Sequence, residues 1–119
     1  MSPERAKVFV AEDNEFWQKI IKRSLADKGH EVVLSATNLE DALAATSKLV
    51  KLGVQVAIID GNLNDYEANG HDGQIVLAAI RKAAPQVKTI GLSGNSVRGV
   101  NVDLGKDNFT DLGKTVTKI

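Results

Sequence analysis

Two rhythms of apolar and polar residues run through this chain. Five short runs are rich in apolar and β-branched residues, and four of them stop at a polar signature. Residues 7–11 stop at Glu12-Asp13, 55–59 at Asp60 and 87–92 at Ser93, and 100–104 are followed after Gly105 by Lys106. The run at 31–35 ends without a reactive group. Between the runs, apolar residues recur at helical spacing. Asp13 or Asn14 caps a helix to about residue 28, with Phe16, Ile20, Ile21, Ser24 and Leu25 on its inner face and Gly29 beyond its end. Asn38 caps a second helix, with Glu40 and Asp41 in its first turn and Leu39, Ala42, Leu43, Thr46, Leu49 and Val50 inside, ending at Gly53. A polar loop runs from 61 to about 72. A helix carrying Ile75, Val76, Ala79 and Ile80 follows and closes at Pro85. The last helix carries Phe109, Leu112, Val116 and Ile119. Gly113 and three threonines weaken it, so tertiary packing must hold it.

Strand and helix alternate, which predicts an α/β sheet of parallel strands with right-handed crossovers. The run at 55–59 is nearly all apolar, as in a strand covered on both faces. Residues 94–99 are too few and too glycine-rich for a full helix. In such sheets ligands bind beyond the carboxyl ends of the strands, where strand order reverses. The polar signatures fall at those ends.

Composition narrows the function without deciding it. The chain has 119 residues, enough for one domain. Fifteen basic residues balance fifteen acidic ones, which argues against direct nucleic-acid binding through phosphate neutralisation. There is no cysteine, so disulfides, thiolate metal sites and cysteine nucleophiles are excluded. No apolar stretch is long enough to span a bilayer and no signal-peptide core precedes the first strand, so a cytoplasmic protein without membrane contact is expected.

Three carboxylates, a hydroxyl and an amine along one sheet edge suit a divalent cation plus a phosphoryl group. Glu12, Asp13 and Asp60 are neighbours if the first and third strands are adjacent. Packed carboxylates repel unless a cation intervenes. Mg²⁺, or Mn²⁺, takes one or two carboxylates and leaves a position for a phosphate oxygen. The carbonyl of Asn62 can add a further ligand. Asp60 is the candidate nucleophile, Lys106 a point charge for a phosphoryl oxygen, and Ser93 a hydroxyl donor. Taken singly, each has a plainer reading: a cap, a loop residue or a surface lysine.

The ordered set Glu12-Asp13, Asp60, Ser93 and Lys106, with Phe109 just after the lysine, resembles the receiver domain of two-component response regulators across residues 7–119. The resemblance implies a flavodoxin-like, doubly wound sheet of five parallel strands in the order 2-1-3-4-5. It implies that Asp60 accepts a phosphoryl group from a histidine kinase or a histidine phosphotransfer protein, with Mg²⁺ held by Glu12, Asp13 and Asp60. Ser93 and Lys106 then bind phosphoryl oxygens, and the response reaches a downstream protein through the fourth helix, fifth strand and fifth helix. Four features depart from the pattern. An insertion lies around 65–70. The segment between Ser93 and Lys106 is short, so the fourth helix is shortened or missing. Asp107 replaces the proline that commonly follows the lysine. Asp103 stands where an aromatic switch residue is common.

Other signals carry less. Residues 60–65 begin like a calcium loop, but Asp65 and His71 stand where glycine and glutamate are required. Residues 91–95 lack the last glycine of a nucleophile elbow. His30 precedes a strand on the far side of the sheet, and His71 reads as a solvated loop residue. Trp17 lies near Glu12-Asp13, as a core-edge cover or an optical reporter of the site. No output domain follows Ile119, so the expectation is a single receiver domain, 1–119, that signals by protein contact and is not an enzyme. A receiver-shaped binding module independent of phosphorylation is the alternative. A phosphatase using Asp60 lacks its general acid, because Asn62 occupies that position.

Overall fold

The computed structural model describes residues 5–60, 71–92 and 97–119. Five strands, β1 (Lys7–Ala11), β2 (Glu31–Ala36), β3 (Val56–Ile59), β4 (Lys88–Gly91) and β5 (Val102–Asp103), form one sheet in the order β2-β1-β3-β4-β5. Every neighbouring pair is parallel. The chain moves outward from β1 to β2, then in the opposite direction from β3 to β5. The reversal opens a crevice beyond the ends of β1 and β3. This is the flavodoxin-like sheet expected from the sequence.

Helices α1 (Glu15–Ala26) and α4 (Leu112–Lys118) cover one face, and α2 (Leu39–Ala45) and α3 (His71–Ala83) cover the other. The strand pleat sorts side chains between two cores. Phe9, Ala11, Ala57 and Ile59 pack with Ala42, Leu49, Val76 and Ile80. Val8, Val10, Val56 and Ile58 pack with Ile21, Leu25, Leu112 and Val116. Burial on both faces explains why the runs in β1 and β3 are almost entirely apolar.

Several elements differ from the sequence expectation. In α1 the buried residues are Gln18, Ile21 and Leu25, and Phe16 is 68% exposed. Helix α2 stops at Ala45 and continues as one 3-10 turn, Thr46–Lys48. There the hydroxyls of Thr46 and Ser47 donate to the carbonyls of Leu43 and Ala44, which favours a tighter turn. Leu49 stays in the core, but Val50 is 59% exposed. Strand β5 has two residues rather than five. Before it, Asn101 Oδ1 accepts from both the N–H and the hydroxyl of Thr89, while the Asn101 N–H donates to Thr89 Oγ1. Side-chain bonds thus replace the ladder.

No helix joins β4 to β5 among the described residues. Residues 97–101 form a strap clamped by α3, where Gln74 Nε2 donates to the Arg98 carbonyl (3.0 Å) and Arg81 donates to that of Gly99. The last helical segment has two parts. A 3-10 stretch, Lys106–Asp111, kinks at Asn108 and leads into α4.

Two polar features fasten α4. His30 is buried, and its Nδ1 accepts the Ala6 N–H at 3.0 Å, which puts the ring proton on Nε2, 2.8 Å from Thr117 Oγ1. Burial lowers the His30 pKa, consistent with a neutral ring. Gly113 lies against α1. A Cβ there would sit 2.5 Å from Lys28 Cγ and 2.8 Å from the Ser24 carbonyl oxygen. Alanine gains about 1 kcal/mol in helix propensity, whereas overpacking a close contact costs about 1–3 kcal/mol. The lysine stem can move but the Ser24 backbone cannot, so the contact wins. Gly113→Ala is expected to lower stability by about 1 kcal/mol in urea denaturation; a stabilised variant would show that α1 and α4 are not so tightly apposed.

Candidate functional site

The parallel ladder extends one residue past each central strand. The Glu12 N–H donates to the Ala36 carbonyl (3.0 Å) and the Asp60 N–H to that of Ala11 (2.9 Å). Two acidic residues therefore leave the sheet side by side at the crevice. Both are almost fully buried, Glu12 at 1% exposure and Asp60 at 3%, while Asp13 is half-buried. One carboxylate oxygen from each of the three lies within 4.8 Å of the others.

Lys106 reaches this cluster from the start of the 3-10 stretch, after Gly105 turns the chain at φ 76°. Its ammonium is 3.3 Å from Glu12 Oε1 and 3.3 Å from Asp60 Oδ2, with 22% of the side chain exposed. Glu12 Oε1 also accepts the Asn14 N–H (3.2 Å), whereas Glu12 Oε2 is buried with no hydrogen-bond partner among the described residues. The Glu12 pKa is pushed up to about 8, first by burial, then by the charge of Asp60 and a hydrogen bond shared with it. The Lys106 ammonium and the Asn14 N–H pull it partly back.

These residues fit a hard divalent cation such as Mg²⁺ or Mn²⁺. The donors are oxygens, their repulsion is only partly offset by one ammonium, and a buried oxygen lacks a partner. Asp60, Glu12, Asp13 and Lys106 are thus brought together. Ser93 and Asn62 lie outside the described residues, as do the insertion at 65–70 and the His71 side chain.

Two further residues belong to the site. Gln18 Nε2 donates to the carbonyls of Glu12 (3.0 Å) and Ala36 (3.1 Å), tying the ends of β1 and β2 to α1. Its signal was a polar residue on the stripe shared with Ile21 and Leu25. Trp17 had been weighed only as a cover or reporter. The Lys106 ammonium lies 5.1 Å from its ring centre, and Phe109 packs edge-on against the same ring at 5.6 Å and 83°. No spacing rule pairs residue 17 with residue 106.

Comparison with solved structures supplies the class of the fold. A CheY-like response regulator receiver domain protein from Methanospirillum hungatei superposes at TM-score 0.76 and 21% identity, over 98% of this chain and 93% of that one. The response regulator domain of Thermotoga maritima CheB gives 0.62 and 23%, over 81% and 66%. A CheX–CheY–BeF₃–Mg complex from Borrelia burgdorferi gives 0.64 and 17%, over 78% and 63%. The match spans less than two thirds of the CheB and Borrelia chains. The fold is that of CheY-like receiver domains. No protein-family model matches the sequence, and no curated protein matches it.

The raised Glu12 pKa sets a pH dependence. The folded value lies above the ordinary 4.5, so the folded protein holds this proton more tightly than the unfolded chain. The associated stability is complete below pH 4.5 and is lost as pH rises toward 8. Glu12→Gln cannot ionise. In chelator-treated protein, its stability over wild type should grow from pH 5 to pH 8, by on the order of 2 kcal/mol once solvent screening is allowed for. Parallel urea-midpoint profiles for the two proteins would refute this assignment.

Proposed function

We propose that the chain is a single receiver domain, residues 1–119, that accepts a phosphoryl group on Asp60 in a Mg²⁺-dependent phosphorelay and signals through a protein partner. The supporting observation is the shared edge of Glu12 and Asp60, with Lys106 bridging them at 3.3 Å from each beside an unpartnered carboxylate oxygen. A nucleophile, a cation site and a fixed positive charge meet there.

The donor in this reading is a phosphohistidine of a histidine kinase or phosphotransfer protein. An Asp60 carboxylate oxygen attacks phosphorus, and the P–O bond forms as the P–N bond breaks. The electron pair of that bond stays on the ring nitrogen, which takes a proton from solvent. Glu12, Asp13 and Asp60, with the Asn62 carbonyl, would hold the cation. When bound, the cation offsets charge on the carboxylates and on the phosphoryl oxygens. Lys106 turns from the carboxylates to one phosphoryl oxygen, and Ser93 donates its hydroxyl to another. Transfer of this kind needs positioning and charge stabilisation more than covalent catalysis. The chain carries the group as a signalling domain rather than turning over a substrate, in a cytoplasmic setting. The Borrelia neighbour, held with Mg, BeF₃ and a second protein, supports this combination of cation, phosphoryl mimic and partner.

One observation favours a second reading, a binding module that ignores phosphorylation. Among the described residues no helix precedes β5, and the exposed Asp103 stands where the receiver pattern often has an aromatic. That reading predicts equal partner affinity with and without beryllofluoride.

Acetyl phosphate with Mg²⁺ is expected to add the mass of one phosphoryl group to the intact protein. Asp60→Asn or a chelator should abolish the gain. An unmodified wild-type protein, or a modified Asp60→Asn variant, would reject the first reading.

A further inference from the structure

Lys106 is a flexible side chain with a demanding position. Its ammonium must face Glu12 and Asp60, yet both partners that hold it there are carboxylates. A carboxylate engaged with a divalent cation has less negative charge to offer an ammonium. The lysine would then lose part of its anchor before a phosphoryl oxygen arrives to replace it. One contact does not depend on charge at the acidic cluster, the ring of Trp17, whose centre lies 5.1 Å from the ammonium. That separation lies within the range of cation–π attraction, which strengthens where water is excluded.

The backbone of Trp17 is anchored. Its main-chain N–H donates to Asn14 Oδ1 (3.1 Å), the side-chain cap of α1. The N–H of the same Asn14 donates to Glu12 Oε1. One capping turn therefore ties the backbone that carries the indole to the acid that Lys106 must face. The indole also meets Phe109 edge-on, three residues after Lys106. Phe109 also lines a groove of about 530 Å³ with Phe16 and Ile20 of α1.

We propose that Trp17 is a positioning residue of the site: its ring holds the Lys106 ammonium near the acidic cluster when a cation engages the carboxylates. The proposal deepens the phosphoacceptor reading and rests on it for the uptake measurement below. An aromatic contact to the lysine is thus made from α1, while the position three before the lysine, often aromatic in receivers, is Asp103.

Two measurements test it. Trp17 is the only tryptophan, so indole emission reports this ring alone. In chelator-treated protein, Lys106→Met should change the intensity and wavelength of that emission; an unchanged spectrum overturns the contact. The second measurement is the rate of acetyl phosphate uptake at saturating Mg²⁺. Trp17→Leu, which has no π face, should be slower by about ten-fold, whereas Trp17→Phe should stay within about three-fold of wild type. Equal rates for the two variants overturn the positioning role, and a rate gap that merely follows a gap in their urea midpoints overturns it too, because leucine also loses the edge-on packing against Phe109. Trp17→Met replaces the leucine variant if that protein does not fold. Wild-type protein that takes up no phosphoryl group defeats the phosphoacceptor reading instead, and the emission comparison still decides the contact.

Discussion

Two carboxylates held shoulder to shoulder in a nearly dry crevice are the constraint on which this molecule turns. The backbone leaves them no choice. Ladder bonds from Glu12 to Ala36 and from Asp60 to Ala11 fix where both chains exit the sheet. Repulsion between the acids cannot relax by moving apart without breaking the central parallel pair. It is instead met by a raised affinity of Glu12 for a proton, by the Lys106 ammonium and, in the proposed working state, by a divalent cation. These three remedies compete for the same oxygens. Competition of that kind makes a site responsive, because filling it with one partner must displace another.

The fold spends few residues on placing this edge. Each central strand feeds two cores, so four or five residues per strand suffice to fix the sheet. The outer elements are abbreviated. Strand β5 has two residues, and the connection before it is a strap held by Gln74 and Arg81 of α3. Lys106 is carried by this reduced edge, just after β5. Its approach is set by the turn at Gly105 and by what the ammonium meets at its far end.

Much of this was legible in the sequence. Apolar runs ending in polar residues identify the strands, because parallel strands buried on both faces have little compositional freedom; the order 2-1-3-4-5, and with it the adjacency of Glu12 and Asp60, is implied only by the receiver resemblance. The helices were read less accurately. Phe16 had been assigned to the interior, yet the buried stripe of α1 runs through Gln18, since the carbonyls of Glu12 and Ala36 reward an amide there more than an aromatic ring. Val50 had been assigned to α2, but hydroxyl back-bonds at Thr46 and Ser47 end that helix early. β5 had been extended over five residues, and Asn101 takes over the bonds that a longer ladder would use. The contact between Trp17 and Lys106 is hidden for a different reason. It joins residues from two ends of the chain, and only the wound sheet brings them together.

Pleat parity settles which layer the site addresses. Ala11 and Ile59 pack toward α2 and α3. The residues that follow them, Glu12 and Asp60, therefore project toward the opposite layer, the side of α1 and the C-terminal segment. Trp17, Lys106 and Phe109 all lie on that side. A change of charge at the acids thus meets the α1 layer through direct side-chain contact. Among the described residues, the strap at 97–101 is clamped instead by Gln74 and Arg81 of α3. Direct contact with the α1 layer does not require an aromatic at position 103. The lack of a helix before β5 among the described residues is therefore compatible with a site that responds to what it binds.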